Sequence, residues 1–165
     1  MVRTLILWRH AKSSWEEPGL PDIVRPLAPR GLKAGPRQAK WIANNFCPGR
    51  VICSPARRAY DTWHFLAPRL PYSLPVVFES RVYESTWDEL LAVIRETPDD
   101  VEQLLMVGHN PGLENLTAVL AQPPGEKFAT AACAVLRFPG AWREVAPGIA
   151  ELVAFRRPRR KKAAA

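Results

Sequence analysis

The sequence of 165 residues predicts an α/β protein with a mainly parallel central sheet. Two observations predict this class. Short apolar runs of strand length alternate with longer segments of helical periodicity, which is the pattern of repeated βαβ units. Three of the runs also end in polar groups of a similar kind, as expected where the carboxyl ends of parallel strands share one crevice.

The first strand and the first helix are separated by a long predicted loop. The apolar run at 5–8 is short, which favours a strand buried on both faces. Residues 11–28 hold three prolines and no sustained periodicity, so they predict a loop. A helix is predicted over 29–45, with a later start near Pro36 as the alternative. The predicted apolar face of this helix comprises Leu32, Ala39, Ile42, Ala43 and Phe46.

The later segments continue the alternation of strands and helices. A helix is predicted after the strand at 50–54, with Ser54 as its N-cap and Pro55 at its first position. The spacing of Ser85 and Asp88 is close to a capping box and predicts another helix start. A further helix is entered through Asn110 and Pro111. The remaining predicted strands cover 74–79, 103–107, 131–138 and 149–155.

The net charge of +7 is concentrated at the C-terminus. The last ten residues carry six positive charges, which leaves the rest of the chain near about +1. We therefore expect a folded domain over 1–157 and a disordered basic tail over 158–165. Such a tail attracts RNA or an acidic surface only weakly, and the domain itself is not predicted to bind nucleic acid.

Membrane insertion and disulfide bonding are not predicted. No apolar stretch approaches the roughly 20 residues of a spanning helix, and the N-terminal run is too short for a signal peptide. We expect a cytoplasmic protein without membrane contact. Cys47, Cys53 and Cys133 form an odd set without a C-x-x-C pair, so each is expected to be a small core residue.

Arginine and histidine residues follow three of the predicted strands. The first strand leads to Arg9 and His10, the second to Arg57 and Arg58, and the fourth to His109. Guanidinium groups bind phosphate bidentately, and helix N-termini add backbone donors. Solvated arginines and a core histidine are the simpler alternative. Burying several cations without an anion costs several kcal/mol each, however, so the convergence favours a phosphate site.

Four sequence blocks carry a resemblance to a known family. They are "LWRHAKSSW", "RPLAPRG", "SPARRAYDT" and "VGHNPGLENL", in this order over residues 3–155. They resemble the histidine phosphatase superfamily (phosphoglycerate mutase-like), and more narrowly its short SixA-like branch of phosphohistidine phosphatases. The resemblance implies a three-layer α/β/α fold and a metal-independent phosphatase without cofactors.

The resemblance also implies roles for individual residues. His10 matches the nucleophile, which becomes a phosphohistidine, and Arg9 matches its phosphate-binding neighbour. Arg58 matches the arginine that directly precedes alanine in the block "SPARRAYDT", with Arg57 in reserve. His109 matches the histidine that stabilises the equatorial oxygens in the transition state.

Further residues complete the predicted site less directly. Arg25 is expected to bind substrate from the long loop, and Asn110 beside the second histidine is expected to do the same. Glu84 lies near the position of the general acid in larger relatives, although a loop carboxylate is the alternative. Lys12 departs from the family pattern and adds positive charge at the mouth of the site.

The predicted substrates are phosphohistidine proteins or small phosphate esters. A phosphohistidine leaving group can be protonated by solvent or by the substrate itself, so this substrate does not require a fixed acid. Two other functions stay open at this stage. One is a phosphoglycerate mutase-type phosphotransferase, and the other is a non-catalytic protein that binds phosphate or RNA.

Overall fold

A computed structural model describes residues 1–121 and 127–158. Within them the helices and strands alternate as the sequence predicts. The strands are β1 (Val2–Arg9), β2 (Arg50–Cys53), β3 (Val76–Phe78), β4 (Gln103–Gly108), β5 (Cys133–Pro139) and β6 (Glu151–Arg156). The helices are α1 (Pro29–Asn45), α2 (Arg57–Leu66), α3 (Trp87–Arg95) and α4 (Gly112–Leu120).

The six strands form one sheet in the order β3-β2-β4-β1-β5-β6. The pairs β1–β4, β4–β2 and β2–β3 are parallel, whereas β5 pairs antiparallel with β1 and with β6. Arg9 lies opposite Gly108, and Cys53 lies opposite Val107. The carboxyl ends of β1, β4 and β2 therefore meet at one edge, and the predicted mainly parallel sheet is confirmed.

Helices cover both faces of the sheet, which gives the three layers. In β1, Leu5 and Leu7 face a core completed by α3 and α4, whereas Ile6 and Trp8 face a core completed by α1 and α2. All four side chains are fully buried, and burial stabilises each by about 1.5–3 kcal/mol. The unbroken apolar run follows from this geometry, because successive strand residues point to opposite faces.

Helix α1 has the predicted bounds, and Ala39 and Ile42 of its predicted apolar face are buried, but Leu32 is not. It begins at Pro29, so the alternative start near Pro36 is wrong, and Pro36 lies inside the helix. Leu32, expected in the core, is 55% exposed. The buried stripe also includes Gly31 and Gly35, where the helix backbone lies against the Lys12 backbone and the Phe65 ring. Glycines carry no apolar signal, so hydrophobic periodicity does not reveal this face.

Two predicted helix starts are wrong by one or two residues. Helix α2 begins at Arg57 with Ala56 as its N-cap, and the Ser54 hydroxyl accepts from the Ala56 N–H at 3.2 Å in the turn before the helix. Helix α3 has its capping box at Thr86 and Glu89 rather than at Ser85 and Asp88. The Ser85 hydroxyl instead donates to a carbonyl in the preceding turn.

The structure confirms the expected core position for two of the three cysteines. Cys53 and Cys133 are buried, but Cys47 is exposed because it follows α1 at the surface, so its predicted core position is wrong. Of the predicted tail, residues 159–165 lie outside the described residues. No helix in the part of the chain that the structure describes is long and apolar enough to cross a membrane.

The close approach at Gly31 gives a first testable prediction. A Cβ there would lie 2.3 Å from the Lys12 carbonyl oxygen, which is backbone and cannot rotate away. Gly31→Ala should therefore lower the free energy of unfolding by about 1–3 kcal/mol in urea titrations. Helix propensity alone predicts the opposite sign, about 1 kcal/mol in favour of alanine.

Gly19→Ala is the matched control, because no atom lies within 4 Å of a Cβ at that position. This control should change the free energy of unfolding by less than about 0.5 kcal/mol. A stabilised Gly31→Ala variant would contradict the close packing of α1 on the loop that follows His10.

Candidate active site

A cavity of about 270 Å³ opens at the sheet edge where β1 and β4 end. All seven residues that the sequence nominated for the site line it: Arg9, His10, Arg25, Arg58, Glu84, His109 and Asn110. Arg57 does not line it. The Arg57 side chain is 57% exposed and pairs with Asp61 one helical turn away, so of the two arginines only Arg58 faces the cavity.

The His10 ring is held in one orientation by the backbone. Its Nδ1 donates to the Ala11 carbonyl oxygen at 2.8 Å, since a carbonyl can only accept. Burial, with help from the neighbouring His109, holds the pKa of His10 well below its ordinary value. The ring is therefore neutral near pH 7 and its Nε2 carries a free lone pair.

His109 lies beside His10, with 5.0 Å between the ring centroids. Burial first, and then the positive charge of Arg58, lower the pKa of His109 to about 3. Its Nε2 lies 2.7 Å from the Ser54 hydroxyl oxygen. Its Nδ1 is buried and has no hydrogen-bond partner among the described residues. Both histidines at this edge are thus neutral rings.

Arg9, which is half-buried, and Arg58, which is buried, bring two guanidinium groups to the same cavity. Arg9 donates to the Phe128 carbonyl oxygen at 2.8 Å, and burial lowers its pKa. Arg58, 5% exposed, donates to the carbonyl and the carboxylate oxygens of Asp22 at 2.8 and 3.0 Å. The Nε atoms of both arginines are buried without a partner among the described residues. Each arginine keeps at least one donor unused.

Asp22 is the site residue that the sequence analysis missed. Its carboxylate accepts hydrogen bonds from Arg25 at 3.0 Å, from Arg58 at 3.0 Å and from the Tyr83 hydroxyl. The Tyr83 bond first, and then Arg25 and Arg58, lower the pKa of Asp22 to about 2 against the opposing effect of burial. Among 16 acidic residues, its position three before Arg25 is the only signal in the sequence.

Arg25 reaches the cavity from the long loop, but its guanidinium group is largely engaged. Beyond Asp22, it donates to the Ser13 hydroxyl at 2.8 Å and to the Ser14 carbonyl at 3.1 Å. The Trp15 ring covers it, with 3.5 Å between the guanidinium carbon and the ring centroid. Arg25 therefore ties the long loop together at the rim of the site.

Glu84 and Asn110 lie between this cavity and a second one of about 420 Å³. Glu84 is exposed and adopts a left-handed backbone with φ of 53°, which is uncommon for a residue other than glycine. The Asn110 amide donates to the Phe128 carbonyl and accepts from the Glu114 N–H, so it braces the wall. The second cavity also holds Trp87 and Asp88.

A metal centre is not formed by the described residues, which contain no cluster of three His, Cys, Asp or Glu side chains suited to an ion. The positive charge near the cavity comes instead from Arg9, Lys12, Arg25 and Arg58. Two neutral imidazoles beside these cations suit an oxyanion ligand better than a cation.

Comparisons with known proteins agree with this geometry. The family model of the histidine phosphatase superfamily (branch 1) matches residues 5–132, so the chain belongs to that superfamily. An uncharacterised protein of Mycobacterium tuberculosis, Rv1276c, is 36% identical over 162 residues, covering 92% of this chain and 99% of that protein. An uncharacterised chloroplastic protein of Arabidopsis thaliana is 26% identical over 153 residues, covering 86% and 70%.

Solved structures of similar fold include phosphatases. A Nakamurella multipartitia protein given the name phosphohistidine phosphatase SixA shares 29% identity at a TM-score of 0.84, covering 96% of this chain and 97% of that one. The protein histidine phosphatase SixA complexed with tungstate shares the fold at a TM-score of 0.78 and 21% identity, covering 94% and 97%. Superfamily membership and the Nakamurella multipartitia neighbour support phosphatase activity.

The Asp22 network predicts a pH-dependent contribution to stability. The pKa of Asp22 falls from 3.8 to about 2 on folding, so its ionised form stabilises the fold above about pH 3.8. That contribution disappears as the pH falls from about 3.8 to about 2. The free energy of unfolding of the wild type, minus that of Asp22→Asn, should therefore decrease as the pH falls through this window. A difference that stays constant across the window would contradict the network.

Proposed function

We propose that this chain is a metal-independent phosphatase that hydrolyses phosphohistidine proteins or small phosphate esters through a phosphohistidine intermediate on His10. One observation carries the proposal. A neutral histidine with a free Nε2 lies in a cavity with a second neutral histidine and with Arg9 and Arg58, whose Nε atoms are buried without a partner among the described residues. The two arginine Nε–H groups lack partners among the described residues, and a bound phosphoryl group would supply acceptors for them.

The first step transfers the phosphoryl group to the protein. The Nε2 lone pair of His10 attacks phosphorus, a P–N bond forms, and the bond to the leaving group breaks with its electron pair on the leaving atom. Arg9, Arg58 and His109 donate to the nonbridging oxygens. Phosphoryl transfer depends mainly on such positioning and charge stabilisation.

The second step returns the protein to its starting state. Water attacks phosphorus, the P–Nε2 bond breaks, inorganic phosphate leaves and one proton passes to solvent. His10 emerges as the neutral ring, which its lowered pKa favours. The side-chain cations offset the negative charge, so turnover should persist in EDTA.

The leaving group takes a proton from Glu84 or from solvent, and these routes predict different substrate dependence. Glu84 lines both the catalytic cavity and its neighbour, where a leaving group would extend. Alkoxide leaving groups need a proton most, whereas a phosphohistidine nitrogen can be protonated by water or by the substrate.

Two adjacent arginines allow a matched test of the anion site. Arg58→Ala removes a buried cavity donor and should lower kcat/KM by about 10²–10³-fold on p-nitrophenyl phosphate and on a phosphohistidine protein. Arg57→Ala removes an exposed guanidinium outside the cavity and should leave kcat/KM unchanged. His10→Asn should abolish turnover by the folded protein. Equal effects of the two arginine variants, or undiminished turnover by His10→Asn, would contradict the proposal.

Glu84→Gln separates the two sources of the leaving-group proton. If Glu84 supplies it, kcat should fall by about 10²–10⁴-fold on alkyl phosphates and much less on phosphoramidate or phosphohistidine. Asp88→Asn is the matched control, because Asp88 is an exposed carboxylate that lines only the second cavity. Equal losses on esters and phosphoramidates would contradict an acid role for Glu84.

A further inference from the structure

Ser54 and His109 form a buried contact between two strand ends. The His109 Nε2 and the Ser54 hydroxyl oxygen are 2.7 Å apart, and Ser54 is fully buried. Ser54 follows β2 and His109 follows β4, and these strands are parallel neighbours with Cys53 opposite Val107. The sheet register itself therefore sets this contact.

The proton in this contact can be assigned from the neighbours of Ser54. The Ala56 N–H donates to the Ser54 hydroxyl oxygen at 3.2 Å, which uses a lone pair and leaves the hydroxyl proton free. Within the described residues, the His109 Nε2 is the acceptor in hydrogen-bond reach of that proton. A buried hydroxyl proton without an acceptor costs about 1–3 kcal/mol. The hydroxyl therefore donates, and Nε2 is the unprotonated nitrogen of the ring.

We propose that Ser54 is a positioning residue that fixes His109 as the tautomer with its proton on Nδ1. A neutral imidazole carries one ring proton, so acceptance at Nε2 places that proton on Nδ1. Nδ1 is the ring nitrogen that is buried without a partner among the described residues, and His109 lines the catalytic cavity. The ring thus keeps an N–H donor that no described residue uses and that a phosphoryl oxygen in the cavity can accept.

The opposite tautomer would work against the same reaction. A proton on Nε2 would donate to Ser54 and leave a lone pair on Nδ1, which repels phosphoryl oxygens rather than binding them. The catalytic consequence of the tautomer rests on the proposed function. The tautomer itself does not, so the two can be tested separately.

NMR of the ¹⁵N-labelled full chain measures which ring nitrogen of His109 is protonated. The chain has three histidines, so His64→Gln, which alters an exposed ring outside the cavity, helps to assign the signals. We expect a protonated Nδ1 and an unprotonated Nε2 near pH 7, with the Nδ1–H signal shifting when inorganic phosphate is added. A proton found on Nε2 overturns the proposal. So does an Nδ1–H signal that does not move when phosphate is added until the His10 signals stop changing.

Ser54→Ala tests the role of the hydroxyl directly. Loss of the donor should move His109 toward the Nε2-protonated tautomer and lower kcat by about 10–100-fold, with a smaller change in KM. Thr117→Val is the control, because it removes a buried hydroxyl that donates to the Leu113 carbonyl within α4. This control should change neither the His109 spectrum nor kcat.

The outcomes separate the two proposals. A folded Ser54→Ala variant with an unchanged His109 tautomer overturns the role of Ser54. If Ser54→Ala does not fold, the test is the His109 protonation state in the wild type and in Ser54→Thr. Ser54→Thr keeps the hydroxyl, so it should keep the proton on Nδ1. Absence of turnover by the wild type would contradict the proposed function, whereas the assignment of the His109 proton depends on the NMR measurement alone.

Discussion

The parallel alignment of β1, β4 and β2 is the constraint on which the site depends. Their register places Arg9 opposite Gly108 and Cys53 opposite Val107, so His10, Ser54 and His109 leave the sheet side by side. A slip of one residue would turn each strand's side chains to the opposite face. The apolar runs that fill both cores therefore fix the position of the polar groups at the edge.

Buried cations at that edge require compensation, and the long loop supplies it. Asp22 bonds Arg25 and Arg58 together with the Tyr83 hydroxyl, which offsets the desolvation of two guanidinium groups. The compensation is incomplete, because Nε of Arg58 is left without a partner among the described residues. The same loop thus keeps the charges in place and leaves donors for an oxyanion.

Much of this arrangement follows from the sequence, because strand ends and apolar periodicity are local signals. The parallel sheet and the placement of His10, Arg58 and His109 in one cavity agree with those signals. Asp22 and the Ser54 contact could not be predicted in the same way, since each depends on which segments lie opposite in space. The buried glycine face of α1 was missed because close backbone packing leaves no hydrophobic pattern.

The two buried cysteines have a consequence for chemistry under oxidising conditions. Burial raises the pKa of the Cys53 and Cys133 thiols, and the thiolate is the form that oxidants attack. Cys53 lies in β2 directly before Ser54, and Cys133 lies opposite Trp8 in β1, yet both sulfurs stay protonated and enclosed. Peroxide should therefore first modify the exposed Cys47, whose backbone N–H donates to the Gln103 side chain at the start of β4, the end opposite His109.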